Sequence, residues 1–178
     1  MYTPELEIEK YNFKLLNILK KDLNGSFYLK NRILRTHTSC FQNRFLKNYF
    51  LNNNIFNIGK VFRNDFDSTH LPCFYQIDFI TKKTIKTIFE FLLKFFSNLL
   101  KKKFFFKIRK TKFPFTINSF EIDIFNKFDW IEIAGFGESN KNILLNNLFK
   151  KKIIAGGIGL DRLYFIFKKN KHIKNNYD

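Results

Sequence analysis

Arg63, His70 and Phe74 are the side chains of this sequence best suited to binding a charged, planar ligand, and all three fall within residues 59–79. Apolar and polar residues alternate at both ends of this stretch, as in half-buried strands, and turn-forming residues fill positions 64–72. A strand, a loop and a returning strand would bring the three side chains to one ligand. The arginine would contact a phosphate, the histidine a second phosphate and the phenylalanine a flat base. Taken alone, an arginine in a hairpin is most often a solvated surface charge.

An amphipathic helix is the clearest element available to support such a hairpin. Apolar residues recur at helical spacing in residues 83–100, with lysines on the other side, which predicts a helix that covers one face of a sheet. A stripe of this kind is usually packing, so we assign it no chemistry. Its members are Ile85, Ile88, Phe89, Leu92, Phe95, Phe96 and Leu99.

Strand patterns flank this helix on both sides. Residues 104–125 predict two or three strands, and residues 130–137 predict a further strand in which Glu132 lies among apolar neighbours. Residues 32–39 also alternate, and Ser39 is a suitable N-cap for a helix directly after it. Arginine 44, within that helix, is expected to be a solvated charge.

The length and composition limit the kinds of protein that this sequence can be. The 178 residues suffice for one domain whose core needs no disulfide or metal. The 32 lysines and arginines exceed the 15 acidic residues by 17, and such a surface attracts nucleic acid. Abundant Phe, Lys, Asn and Ile are also what an AT-rich genome would encode, so the charge supports nucleic-acid binding only weakly.

Neither secretion nor membrane insertion is indicated. Cys40 and Cys73 lie far apart and form neither a disulfide framework nor a zinc motif, which suits a reducing compartment. The N-terminus carries acidic residues and no apolar core, and no uninterrupted apolar run reaches membrane-spanning length. We therefore expect a soluble, cytoplasmic chain with no membrane partner.

The hairpin and six other segments resemble one family in their order along the chain. They are PELEIEKYNF, RILRTHTSCFQNR, RNDFDSTHLPCFYQIDF, FPFT, SFEIDIF, WIEIAGFG and AGGIGLDRL. Together they are similar to the α-subunits of bacterial phenylalanyl-tRNA synthetases, which are class II aminoacyl-tRNA synthetases. The resemblance implies an α+β fold with an antiparallel sheet flanked by helices, forming one catalytic domain over residues 1–178 with a basic tail from residue 168. The family's N-terminal coiled coil and dimer helix have no counterpart here, so we expect both to be missing.

The resemblance also implies an ATP site. In the family's pattern Arg63 holds the α-phosphate, Arg162 and His70 steer the other phosphates, and Phe74 stacks on adenine, with Arg63 and Arg162 as the catalytic residues. Glu132 would hold Mg²⁺ that bridges the phosphates; the alternative is a strand-end glutamate facing solvent. Residues 153–163 predict a strand, a glycine turn and a helix start that let ATP lie close to the backbone. The implied ATP-binding residues are Arg63, Asp65, His70, Phe74, Glu132, Gly157, Gly159 and Arg162.

A neighbouring phenylalanine site is implied in the same way. Gln76 and Asp78 match the pair that receives the substrate ammonium, although Asp78 replaces the usual glutamate. Phe113 and Phe115 would grip the substrate ring, although in a chain with 26 phenylalanines two core aromatics are the simpler alternative. The implied residues are His37, Ser39, Gln42, Gln76, Asp78, Phe113, Phe115 and Ala155, the last as the pocket floor. Two further departures, Ile117 for a carboxylate and residues 138–141, fall on the rim.

The function implied by the resemblance is ligation of phenylalanine to tRNA(Phe) through a phenylalanyl-adenylate, with ATP and Mg²⁺. The expected partners are tRNA(Phe) and a synthetase β-subunit, in the heterotetramer typical of the family. Lys101–Lys103 either contact tRNA phosphate or form a solvated helix end. The alternative from a different class is a degenerate synthetase-like protein that binds RNA or a partner without aminoacylation, which Asp78 and Ile117 favour.

Overall fold

Residues 4–19, 25–48, 54–64, 70–101, 103–146, 152–168 and 173 are described by the computed structural model. Asp65 therefore lies outside the described residues, as does the predicted basic tail except for Lys168 and Ile173. The strands are β1 Leu6–Glu7, β2 Tyr28–Leu29, β3 Arg32–Leu34, β4 Ile55–Phe62, β5 Cys73–Thr81, β6 Phe106–Thr111, β7 Thr116–Phe125, β8 Trp130–Ser139 and β9 Ile154–Gly159. The α-helices are α1 Glu9–Asn12, α2 Phe41–Asn48, α3 Ile85–Leu100, α4 Lys141–Asn146 and α5 Leu160–Lys168, and short 3₁₀ helices span Lys14–Leu16 and Thr38–Cys40.

Six strands form one antiparallel sheet in the order β4-β5-β9-β8-β7-β6, and a small sheet pairs β1, β3 and β2. The β4–β5 hairpin is the one predicted from alternation, with Val61 paired to Phe74 and Gly59 to Gln76. The expected α+β fold with an antiparallel sheet and flanking helices is confirmed.

Helix α3 and helix α5 cover one face of the large sheet. Thr84 caps α3, since its Oγ1 accepts a hydrogen bond of 3.2 Å from the backbone N–H of Thr87. Most of the predicted stripe packs against the sheet, but Leu99 is 44% exposed and Leu100 is buried in its place. The helix ends at Leu100, and the next residue, Lys101, adopts a left-handed conformation. Among the described residues, no helix has both the length and the apolar character to cross a membrane.

The opposite face of the sheet is only partly covered. At one end, side chains of α2 and α4 pack on Ile80 of β5 and on Ile153, which directly precedes β9. Side chains alternate along a strand, so Asp78 and Gln76 lie on the same face as Ile80. Beyond Ile80 this face opens into a cavity.

Two local predictions were wrong. The glycines of residues 153–163 form no turn: β9 runs through Gly159 in extended conformation and α5 begins at the next residue. Ser39 does not cap α2. It lies inside the 3₁₀ helix that precedes α2, and its hydroxyl donates to Asp78 instead. In both cases a long-range contact decides the local structure.

Candidate active site

The cavity on the open face has a volume of about 250 Å³. Its walls come from the β4–β5 hairpin, from β8 and β9, from the first turn of α5, and from the segments around residues 37–39 and 113–115. The predicted residues that line it are His37, Ser39, Arg63, His70, Phe74, Gln76, Asp78, Phe113, Phe115, Glu132, Gly157, Gly159 and Arg162.

Two predicted residues within the described part of the chain do not line the cavity. Gln42 is 1% exposed, and both polar atoms of its side chain are buried without a hydrogen-bond partner, so it does not make the expected contact with the pocket. Ala155 is fully buried two residues before Gly157 and hence on the same face of β9, beyond the inner end of the cavity.

Arg63 directly follows β4, and its backbone N–H donates to Pro72 O at 3.0 Å across the hairpin. Its Nε donates to Thr36 O at 2.8 Å, which fixes the plane of the guanidinium. The Cζ atom lies 5.3 Å from the ring centroid of Phe74. The cationic group and the aromatic face predicted from the sequence are therefore brought together.

Arg162 connects three separate segments at the other side of the cavity. Its Nη1 donates to Glu132 O at 3.0 Å and lies 3.7 Å from Glu132 Oε2. Its Nη2 lies 2.8 Å from His70 Nε2. Arginine carries only donors, so Nε2 of His70 is the acceptor in this contact.

Asp78 is the most deeply buried carboxyl group of the site, with 1% of its surface exposed. Ser39 Oγ donates to its Oδ2, and Gln76 Nε2 donates to its Oδ1 at 3.1 Å. Burial raises the pKa of Asp78 to about 7, against the opposing effects of the Ser39 hydrogen bond and the Arg63 charge. A Cβ atom at Gly157 would collide with Asp78 Oδ1 and would lie 2.8 Å from Gln76 Nε2, so a glycine is required opposite this carboxyl group.

His37 supplies a further acceptor beside this carboxyl group. Burial and the charge of Arg63 lower the pKa of His37 to about 3, so the ring is neutral. Its Nε2 lies 2.8 Å from Asn12 O and must donate to it, which leaves Nδ1 as an acceptor. Both His37 Nδ1 and Gln76 Oε1 are buried without a hydrogen-bond partner. Two unsatisfied acceptors and one carboxyl group thus share one cavity wall.

Phe113 and Phe115 form the aromatic wall, on either side of the turn at Pro114. Their ring centroids are 6.0 Å apart and the rings are nearly parallel, with 15° between their planes. Phe113 lies directly over Gly135, where a Cβ atom would be 2.6 Å from its Cζ. The missing side chain at Gly135 therefore makes the space that the ring occupies.

Comparison with known proteins identifies the family of this site. The family model described as "tRNA synthetases class II core domain (F)" matches residues 1–178. The chain belongs to this class II synthetase family. The synthetase fold recurs in the solved structure of Desulfitobacterium hafniense PylSc, a pyrrolysyl tRNA synthetase, with a TM-score of 0.71, 16% identity, and coverage of 98% of this chain and 62% of that one.

Among its curated relatives this synthetase-family chain is similar to subunits of one enzyme. It is 36% identical over 174 residues to the phenylalanine–tRNA ligase alpha subunit of Buchnera aphidicola subsp. Baizongia pistaciae, covering 89% of this chain and 52% of that protein. It is 38% identical over 203 residues to the same subunit of Ehrlichia ruminantium (strain Gardel), covering 97% and 57%. The chain thus spans about half the length of these relatives.

Sequence reasoning on this synthetase-family chain missed Asp161 as a cavity residue. Its Oδ2 accepts a hydrogen bond of 2.5 Å from the backbone N–H of Tyr75, which fixes the start of α5 against β5. The two residues are 86 positions apart, so no local pattern reports the contact. The one available signal was that Asp161 belongs to the Asp161-Arg162-Leu163 motif.

The fit of Mg²⁺ rests on Glu132. Its carboxylate lines the cavity beside Arg162, and the side chain is 42% exposed. Burial raises the pKa of Glu132, Arg162 lowers it, and the neighbouring Glu121 and Asp123 raise it further. A magnesium ion would relieve this repulsion, and it commonly takes only one or two carboxylates together with phosphate oxygens. Among the described residues no group of three His, Cys, Asp or Glu side chains that could hold a metal ion is found.

Proposed function

We propose that this chain is the catalytic α-subunit part of a phenylalanine–tRNA ligase, which activates L-phenylalanine with ATP and transfers it to tRNA(Phe). The names of its curated relatives support this activity. The observation that carries the proposal is the cavity itself, in which two arginines, an aromatic wall and unsatisfied buried acceptors lie together. A buried acceptor without a partner is costly unless a ligand completes it.

The amino acid would bind at the inner part of the cavity. Its ammonium group has three N–H donors, and His37 Nδ1, Gln76 Oε1 and the Asp78 carboxylate can accept them. Its ring would pack on Phe113 and Phe115, with Ala155 limiting the depth of the pocket. An apolar pocket rejects an added hydroxyl group by only about a hundredfold. Discrimination against tyrosine at this step is therefore expected to be modest.

ATP would bind toward the hairpin loop and α5. Phe74 offers its face to adenine, and the Arg63 guanidinium beside it would hold the α-phosphate, where charge develops. Arg162 and His70 would orient the other phosphates, while Gly157 and Gly159 let the nucleotide lie close to β9. Asp65 is proposed as an additional ATP contact on family grounds alone.

Glu132 would hold the magnesium ion, whose bound form neutralises phosphate charge. The phenylalanine carboxylate attacks the α-phosphorus, forming the mixed anhydride as pyrophosphate leaves. This nucleophile is already ionised at neutral pH, so the chain needs no general base for the step. Its own residues supply alignment and charge neutralisation. In the second step a terminal ribose hydroxyl of tRNA attacks the anhydride and releases AMP.

The proposed activity implies further partners. A synthetase β-subunit and tRNA(Phe) are expected, and the assembly would be the heterotetramer typical of the family. The reaction would take place in the cytoplasm, where tRNA is charged. How copies of this chain associate, and how the chain holds tRNA, would be determined by that assembly.

Phenylalanine-dependent ATP–pyrophosphate exchange tests the proposal, measured with and without a candidate β-subunit. Arg63→Lys should lower exchange at least about a hundredfold, because lysine cannot reproduce the fixed, forked donor geometry of the guanidinium. Arg32→Lys, an exposed position on β3 outside the cavity, is the matched control and should leave exchange unchanged. Absence of exchange by the native chain in both conditions would contradict the proposal and favour the degenerate, non-catalytic alternative.

A further inference from the structure

A second and larger cavity, of about 600 Å³, lies apart from the active site. It is formed where α3 ends, where β7 turns into β8, and along the last turn of α5. This volume falls in the range of roughly 300–1,000 Å³ that small-molecule sites occupy. No residue of this cavity lines the active-site cavity, and the proposed reaction uses none of them.

Its lining combines lysines with phenylalanine rings. Lys101, Lys103 and Lys127 are all exposed, and the described residues that line the cavity include no carboxylate. Phe105 is 76% exposed and Phe167 is 51% exposed, so two aromatic rings of this cavity are accessible to solvent. The backbone N–H of Phe125 donates to Phe105 O at 3.1 Å, so two sides of the cavity are held together by the main chain.

We propose that this lysine–phenylalanine cavity binds an unpaired stretch of nucleic acid. Exposed aromatic rings stack on the bases of single strands, and lysines neutralise the phosphates between them. The faces of the bases are covered in a duplex, so the exposed rings could not stack on them. The uncompensated positive charge of the lining matches a polyanion, and the rings select one that carries planar groups. This inference concerns residues that the proposed reaction does not use, and it can be tested without that reaction.

Trp130 provides an internal reporter of binding. It is the one tryptophan of the chain, and its ring centroid lies 5.4 Å from that of Phe125, which lines the cavity. Bases that stack in the cavity should therefore quench its fluorescence. A labelled short oligoadenylate, titrated with the full chain, gives the affinity independently by fluorescence anisotropy.

The test compares variants of matched chemistry. Phe105→Ala should weaken oligoadenylate binding by roughly fivefold to a hundredfold, the range observed for loss of one stacking ring. Lys103→Ala should lower the slope of log affinity against log salt by about 0.7. Phe91→Ala and Lys94→Ala, at exposed positions of α3 outside the cavity, are the controls and should change neither quantity.

Several results would overturn the proposal. An abasic oligomer or polyglutamate that binds as tightly as oligoadenylate would show that the rings have no role. Equal binding of a duplex, or equal losses in the control variants, would show attraction to net charge alone. Displacement of the oligonucleotide by ATP would place it in the active-site cavity. Because pyrophosphate exchange needs no RNA, failure here and failure of the proposed ligase activity are separately visible.

Discussion

The two faces of the six-stranded sheet are built from the same strands and stabilised in opposite ways. Ile122 and Ile124 of β7 are fully buried on the helix-covered side. Glu121 and Asp123, between and beside them, point to the other side, where Arg109 bonds both, with its Nη2 2.8 Å from Glu121 Oε2 and its Nε 2.6 Å from Asp123 Oδ2. The first face depends on non-directional apolar burial along its length, whereas the second combines an apolar cluster at one end with charged groups in fixed geometry. Stability should therefore depend more on the first face, and substrate binding on the second.

The largest effect is expected on the helix-covered face. Ile122→Ala should lower the free energy of unfolding by about 2–5 kcal/mol, because it removes buried methyl groups and leaves a cavity. Chemical denaturation measures the loss, and Ile122→Val should cost only about 0.5–1.5 kcal/mol. Molecules that remain folded should keep the native KM for phenylalanine. A changed KM with unchanged stability would contradict the division between the two faces.

A change of opposite sign is expected at Asp78 on the cavity face. The folded-state pKa of about 7 exceeds the ordinary value of 3.8, so this group makes the folded state less stable as pH rises from about 4 to 7. Asp78→Asn should remove that loss and raise stability at pH 8 by about 1–3 kcal/mol, while weakening phenylalanine binding. Denaturation at pH 5 and pH 8 measures it.

The quantity to compare is the difference in the free energy of unfolding between the native chain and Asp78→Asn at each pH. His37 is neutral in the folded protein, so the folded state becomes less stable as pH falls from 6.5 toward about 3. This effect of His37 is the same in both proteins. If Asp78→Asn and the native chain lost stability in parallel between pH 5 and pH 8, the raised pKa of Asp78 would be refuted.

The smallest effect is expected from Gly135→Ala. The added Cβ would lie 2.6 Å from Phe113 Cζ and would push only the far end of that ring aside. Stability should change by less than about 1 kcal/mol, whereas the KM for phenylalanine should rise about tenfold, equivalent to about 1.4 kcal/mol. Gly25→Ala is the control, because a Cβ there meets no atom within 4 Å. Equal effects of the two substitutions on KM would show that Phe113 is not part of the substrate pocket.

The parts of the fold that could be predicted are those in which neighbouring residues carry the signal. The β4–β5 hairpin and α3 follow from alternation and helical spacing within a single stretch. Arg44 shows where such reasoning ends. Its guanidinium was expected to be solvated, yet it bonds the buried Glu7, with Nη2 2.6 Å from Oε1, and lies 4.3 Å from the centroid of the Tyr11 ring.

The site was predicted chiefly through the family resemblance, and its chemistry needed the fold. Nothing local indicates that Arg162 meets both His70 and Glu132, since these residues are 92 and 30 positions away from it. Glycine runs ordinarily signal turns, but here they admit Phe79 and Phe136 against Gly156 within a continuous strand. Both the contacts of Arg162 and the continuous strand at these glycines depend on packing between segments that are distant in the sequence, so no single stretch predicts them.

The raised pKa of Asp78 allows this buried carboxyl group to be uncharged near neutral pH. Near neutrality a substantial share of the molecules would hold this carboxyl group protonated, so the resting protein avoids burying a lone negative charge. In the proposed reaction, the ammonium group of an arriving amino acid would favour the ionised form, and the proton would then be released to solvent. Substrate binding and proton release would then be coupled, and calorimetry in buffers of different ionisation enthalpy would give the number of protons released.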